Sequence, residues 1–408
     1  MCLSRTRGFS LVELLVAVVI GLIGSIIIFQ VYSVFEGQKR SIASGGDASS
    51  SLVIAANSVE QAGRHAGYGL NFTSHLGCTA AGWYEQANAA ADSGTPFTVR
   101  LLPVDMIRDG SGNVTSLIFT RSNSDTSYSV TRIKPGFPMA DSEDVIHVEN
   151  MYGFNKGDVL VLASKQTDGS SVITCAVTEV RDLLLPDDNP PGNTIPNRVV
   201  HTRGSYTKVE QPGVTFYTKY NKQGGLATWT TPPPASPVKP DPVPAIPNNT
   251  VAAAQFKFNK LTYIMNVGQA KGGTLGLTQS TFTLNNGQLL ENGSPVGDGI
   301  VFMAAQFGTA PTTTATTVVY TNTMPDASTD QETWLRLRTV RVALIARVGQ
   351  YDKDYQVCAT PPCTLTVWNT ANPTNLPATY TIPDSDIHYR HKIVQLVIPL
   401  RNFFWRPS

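Results

Sequence analysis

The sequence predicts an α+β protein: a long N-terminal helix, its first half membrane-embedded, packed on a β-rich, largely antiparallel globular region beyond the membrane. Three observations carry this. The run Leu14–Phe35 holds no charge, and its 22 residues span roughly 33 Å as a helix, about the thickness of a bilayer's hydrocarbon core. Helical spacing of apolar residues resumes at Leu52, Ala55, Ala56, Val59, Ala62 and Ala66. Beyond them the chain breaks into short β-branched runs bounded by turn signals.

The helix comes first. Arg5 and Arg7 precede the apolar run, so the positive-inside rule leaves the N-terminus in the cytoplasm and the bulk of the chain outside. A secretory signal peptide would be shorter and would end in a small-x-small cleavage site, whereas Glu36, Gln38, Lys39 and Arg40 follow here. Glu13 is unexpected at the start of such a span, because a charge at membrane depth is costly unless it has a partner or a function. Gly21, Gly24 and Ser25 form a small-residue face where another helix can approach, or are simply tolerated as glycines often are in membrane helices. Gly45-Gly46 among the serines of Ser41–Ser51 marks a weak point in one long helix from Phe9 to about Arg64, which Gly67 and Gly69 end.

The strands follow. Val114–Ser122, Asp144–Asn150, Gly157–Ser164, Ser171–Val180 and Gly213–Tyr220 are short β-type runs. Eight prolines between Pro232 and Pro247 predict an extended linker or surface loop, about 231–250. Strands restart over Phe256–Val267. Asn286-Gly287 between alternating runs predicts a hairpin, and the β-branched runs Leu337–Gly349 and His391–Trp405 close the chain. "DGSGN" (Asp109–Asn113) lacks the acidic frame of a calcium loop and is a turn.

The segment Arg7-Gly8-Phe9-Ser10-Leu11-Val12-Glu13-Leu14-Leu15 resembles the class III signal of type IV prepilins and pseudopilins. The resemblance implies cleavage between Gly8 and Phe9 by a prepilin peptidase, N-methylation of Phe9, and a role for Glu13 in assembly through a neighbour's new α-amino group. In low dielectric such a pair attracts strongly, and either charge alone is costly. "AGYG" after the helix, "GDGIVFMAAQFGT", "ETWLRLRTVRVALIARVGQYDK" and the terminal "YRHKIVQLVIPLRNFFW" are similar to the PilW family of minor pilins of the type IV pilus. Together these segments cover both ends of the chain and leave roughly 80–255 without resemblance. Gln30 and Leu22 stand where major pilins often carry proline and glycine, which separates the chain from that group.

The implied organisation is a cleaved cytoplasmic leader 1–8, a pilin-type helix 9–65 that spans the inner membrane over about 14–35, and a periplasmic β-rich region 66–408. Loss of the leader takes the formal charge from +1 to −1, with 29 basic against 30 acidic side chains, and removes Cys2. Four cysteines remain, an even number in an oxidising compartment. Cys358 and Cys363 bracket Ala-Thr-Pro-Pro, which leaves Cys78 and Cys175 for each other; a zinc site on the C-x4-C pair is the rival reading.

The near-neutral charge argues against nucleic acid as a partner. No phosphate loop, zinc-protease helix, nucleophile elbow or dinucleotide fingerprint is present, so no enzyme activity, cofactor or small-molecule substrate is expected. Asp384, Asp386, His388 and His391 form the densest polar cluster, expected as a solvated strand start in preference to a metal site. Aromatic residues of the middle region are expected in the core and not on an adhesive surface. The function implied is that of a minor pilin in pilus assembly, priming or tip-complex formation. Its partners would be the prepilin peptidase, other minor pilins, the major pilin and a tip adhesin, and its place the inner membrane and then the pilus base or tip. The alternatives are a minor pseudopilin of type II secretion, or a membrane-tethered periplasmic receptor or enzyme.

Overall fold

A computed structural model describes residues 10–70, 79–85, 94–123, 130–137, 145–165, 173–186, 197–221, 262–269, 275–312, 314–324, 334, 336–368, 377–400 and 402. The proline-rich stretch at 231–250 lies outside them. One helix, α1 (Leu11–His65), precedes a body built of strands. It runs without a break through Gly45-Gly46, which corrects the expectation of a weak point there. The reason is tertiary: this part of the helix is held against a sheet, and packing of that kind outweighs low propensity. At the other end Asn402 Nδ2 donates to the carbonyls of Arg64 (3.2 Å) and Ala66 (3.1 Å), answering C-terminal acceptors that have no partner inside the helix.

The largest sheet orders Thr95–Arg100, Thr79–Tyr84, Ile173–Glu179, Asp158–Lys165, Tyr263–Gln269 and Val130–Arg132. Its pairs are antiparallel except Thr79–Tyr84 with Ile173–Glu179, where Ala80 sits opposite Cys175. A five-stranded antiparallel sheet orders Ser294–Asp298, Gln288–Glu291, Leu277–Asn285, Val114–Ser122 and Val104–Arg108. In it Asn286 (φ 49) and Gly287 (φ 76) make the hairpin turn, with the positive φ values that only such residues adopt at low cost. A four-stranded sheet orders Val319–Thr321, Ile300–Thr309, Leu337–Tyr351 and Tyr389–Pro399. Asp109 closes the hairpin before Val114 by accepting from the N–H groups of Ser111 (2.9 Å) and Asn113 (2.8 Å).

Two strands are apolar on both faces because each divides two cores. In Asp158–Lys165, Val159, Val161 and Ala163 join the main core, whereas Leu160 and Leu162 pack with Ile133, Ile146, Val148 and Val199. In Leu337–Tyr351, Val340, Val342, Leu344 and Ala346 face the main core, whereas Ala343 and Ile345 meet Phe302, Val367 and Trp368. The main core also takes in Leu52, Ala55, Ala56 and Val59 of α1. The middle-region aromatics Phe97 and Tyr220 are buried and meet edge to face, with ring centroids 5.9 Å apart.

Two buried carboxyls sit at one end of the six-stranded sheet. Glu179 accepts from the N–H groups of Lys219 (2.7 Å) and Tyr220 (3.2 Å) and from the Tyr206 hydroxyl (3.2 Å). Burial outweighs these donors and pushes its carboxyl up to about 7. Asp158 accepts from the Asn155 N–H (2.8 Å) and the Asn266 amide (2.7 Å), and burial pushes it up to about 6. The folded state therefore holds these protons more tightly than the unfolded chain. Their stabilising contribution is complete below the unfolded carboxyl range near pH ~4 and is lost as pH rises through both folded values. Denaturant midpoints of the full chain in detergent should thus increase from pH 8 to pH 5, and Glu179→Gln should flatten the profile. An unchanged slope in that variant would remove Glu179 as its source.

Candidate assembly surface

The helix divides into a bare half and a seated half. From Leu11 to Phe35 its large apolar side chains are exposed, Leu11 by 78% and Phe29 by 73%, whereas Ala55 and Val59 are fully buried. One stretch of the bare half reaches a mean hydropathy of 2.8, long and apolar enough to cross a membrane. Gly21 and Gly24 have open space at their Cα atoms, so a neighbouring backbone can come close. Glu13 lies in the first turn, and its carboxylate accepts from the Ser10 N–H at 3.1 Å. That bond answers one N-terminal donor and keeps the acid beside the positive end of the helix.

The seated half is held by close approach and by hydroxyls. A Cβ on Gly63 would lie 2.9 Å from Ile398 Cγ2 and 3.2 Å from Phe119 Cε1. One on Gly297 would lie 2.8 Å from Ala55 Cβ. Serines along the same face bond across the seam. Ser44 Oγ accepts from the Gln350 N–H (3.0 Å), Ser51 Oγ donates to the Asp298 carbonyl (2.7 Å), and Ser58 Oγ donates to Glu291 (2.6 Å). Lys392 Nζ donates to the Gly45 carbonyl (2.8 Å) and to Ser49 Oγ. Propensity marks Ser41–Ser51 as a weak point, and neither it nor periodicity picks out Gly63, Gly297 or Lys392. Ser44, Ala48, Ser51 and Ala55 recur at spacings of three and four in register with the apolar face, and that register was the available signal.

Of the other expected site residues, Gly8, Phe9 and Cys78 lie outside the described residues. Cys175 is disulfide-bonded, and Cys358 is joined to Cys363 with Cα atoms 5.7 Å apart. The cluster expected as a solvated strand start is more enclosed than that. Asp386 is buried and pairs with Arg347 Nη1 at 2.6 Å, which compensates its desolvation. His388 Nδ1 lies 2.8 Å from the Tyr355 carbonyl, and burial lowers the His391 pKa.

Residues 263–402 match the PilW family, Type IV Pilus-assembly protein W, and residues 3–29 match the prokaryotic N-terminal methylation motif. These two matches support a PilW-like type IV pilin. Neither the curated proteins nor the solved structures contain a match to the chain. The PilW match contains the four-stranded sheet and most of the five-stranded one, the surfaces on which α1 is seated. The methylation motif covers Glu13 and most of the bare half. Together they support a type IV pilus-related minor pilin, whose families are generally structural and imply prepilin processing and contact with other pilus components.

The seam makes a direct prediction. Gly63→Val and Gly297→Val each force a side chain into occupied space and should destabilise the full chain by about 1–3 kcal/mol. A denaturation midpoint unchanged in both would mean that the helix is not seated as described.

Proposed function

We propose that this chain is a minor pilin that enters a type IV pilus through its apolar helix, with Glu13 as the register device, and takes part in priming or tip-complex formation. The observation that carries the reading is the bare half of α1: predominantly apolar and uncharged beyond its first turn, continuous with a half fixed in a folded body, and holding one carboxylate in that first turn. Before assembly lipid covers those apolar side chains over about 14–35. In the pilus the helices of other subunits do.

Processing creates the partner for Glu13. Cleavage between Gly8 and Phe9 by a prepilin peptidase, followed by N-methylation, leaves a cationic amine at the membrane face. A neighbour's Glu13 neutralises that amine, and the pairing fixes the axial offset between subunits. A cation and an anion brought together in a dry helix bundle attract strongly, and either one alone is penalised. The remaining partners on this reading are other minor pilins, the major pilin and a tip adhesin. The body, residues 66–408, lies in the periplasm until assembly and then at the pilus base or tip. In that oxidising compartment Cys78 is the proposed partner of Cys175, alongside Cys358–Cys363.

Mass spectrometry tests processing and cross-linking together. The N-terminal peptide should begin with N-methyl-Phe9, and a non-reducing digest should carry the Cys78–Cys175 link. A Met1 terminus in cells with active peptidase, or a free Cys78 thiol, contradicts the respective assignment.

Assembly is tested at Glu13. Glu13→Ala and Glu13→Gln should be cleaved and inserted normally, keep a stable body, and be depleted from sheared pili relative to membranes. Normal incorporation of both variants would reject the carboxylate as the register device.

A further inference from the structure

The face of α1 that seats the sheet does not stop where the sheet ends. Eighteen residues make about five full turns at roughly 3.6 residues per turn, so positions eighteen apart share a face. Ile26, Gln30, Ser33, Val34 and Gly37 therefore repeat the face of Ser44, Ala48, Ser51, Leu52 and Ala55. The second set is the seam: Ser44 and Ser51 bond to the sheet, Ala48 and Leu52 are buried, and Ala55 meets Gly297. The first set matches the second at three positions, with a hydroxyl at Ser33, an aliphatic at Val34 and a small residue at Gly37, but carries Ile26 and Gln30 where the seam has Ser44 and Ala48; most of it lines an open cleft along the helix with Phe29. It lies beneath the globular body, and among the described residues nothing covers it.

Gln30 makes that vacancy costly. It stands five residues inside the end of the apolar run, roughly 7.5 Å by helical rise. A carboxamide carries two donors and an acceptor, and hydrocarbon offers them no partner. Ser25, on another face, donates to the Gly21 carbonyl (2.9 Å) and so needs nothing from outside. Among the described residues no hydrogen bond inside the chain engages the Gln30 carboxamide or the Ser33 hydroxyl. At this depth the occupant of the cleft has to answer its own backbone groups, and beside a single helix that means a second helix. Hydrogen-bonding side chains hold membrane helices together, and Gly37 permits close approach at the mouth of the cleft.

We propose that Gln30 and Ser33 form a hydrogen-bonding docking site for the transmembrane helix of another pilin-type subunit, seated on the downward continuation of the helix–sheet seam. The proposal rests on the pilin reading of the chain but not on the role of Glu13. In the inner membrane the partner helix lies under the body, and it presents a polar side chain to Gln30 at matching depth. Pairing there selects a neighbour before polymerisation, whereas the amine of Phe9 and Glu13 act at the opposite end of the span.

The test uses the full chain in inner membranes, with the photo-cross-linking amino acid benzoylphenylalanine at Val34. It is made in the Glu13→Gln background so that pairing is read without polymerisation. The expected adduct joins Val34 to the transmembrane peptide of another pilin-type subunit. Gln30→Leu, which keeps the span apolar and inserted, should lower its yield about three- to tenfold, the range that one or two interhelical hydrogen bonds supply. Ser33→Ala should lower it less. The same label at Ile28, roughly 160° round the helix from Gln30, should give no adduct that depends on Gln30. Adducts to lipid alone, or a subunit adduct whose yield ignores Gln30→Leu, would overturn the proposal. Normal pilus entry of Glu13→Gln would sink the register role of Glu13 and leave this result standing.

Discussion

Close approach between the second half of α1 and the C-terminal sheets fixes most of what this molecule can do. Gly63 lies against Ile398, and Ala55 against Gly297, at separations that admit no further carbon. With the backbones that near, Ser44, Ser51 and Ser58 reach partners across the seam, and Lys392 reaches the Gly45 carbonyl. A 55-residue helix of low mid-span propensity stays continuous because one face of its distal half is bonded and buried in this way. The bare half then inherits its direction from the body, and Glu13 is carried at the far end of a rigid lever.

The division of labour along the helix follows from dielectric. Serine and lysine contacts along the seam sit at a partly wetted interface, where neutral hydrogen bonds contribute about 1 kcal/mol each and those to charged groups, here Lys392 and Glu291, about 1.5–3 kcal/mol. At the other end the span is apolar enough to cross a membrane, and in hydrocarbon a lone carboxylate or carboxamide is penalised until something answers it. The two halves therefore use polar groups for opposite ends. Below the body, on the proposed reading, they answer another subunit. Beside the sheet they close a fold.

Much of this was written plainly in the chain. The apolar run, the resumption of helical spacing at Leu52, the Asn286-Gly287 turn and strands such as Val114–Ser122 follow from periodicity and turn chemistry, which are local. Sheet order was not legible. Periodicity says that Asp158–Lys165 is buried, but not that it divides two cores, nor that Thr79–Tyr84 pairs in parallel with Ile173–Glu179. The weak point expected at Ser41–Ser51 is absent because propensity scores a residue alone, whereas Ser44, Ser49 and Ser51 each bond to a group hundreds of positions away. Asp386 was placed in solvent for the same reason, its Arg347 partner being on another strand. Glu13 was legible because its oddity is local: one charge where the surrounding run has none.

The central claim is that α1 is a single stiff element coupling body to membrane. Hydrogen exchange across residues 11–65 of the full chain in lipid tests it most directly. The account predicts that amides at Gly45, Gly46 and the flanking serines exchange as slowly as those of the seated stretch from Leu52 to Gly63. Fast exchange confined to Ser41–Ser51, with protection on both sides, would show a hinge in place of a lever and contradict it.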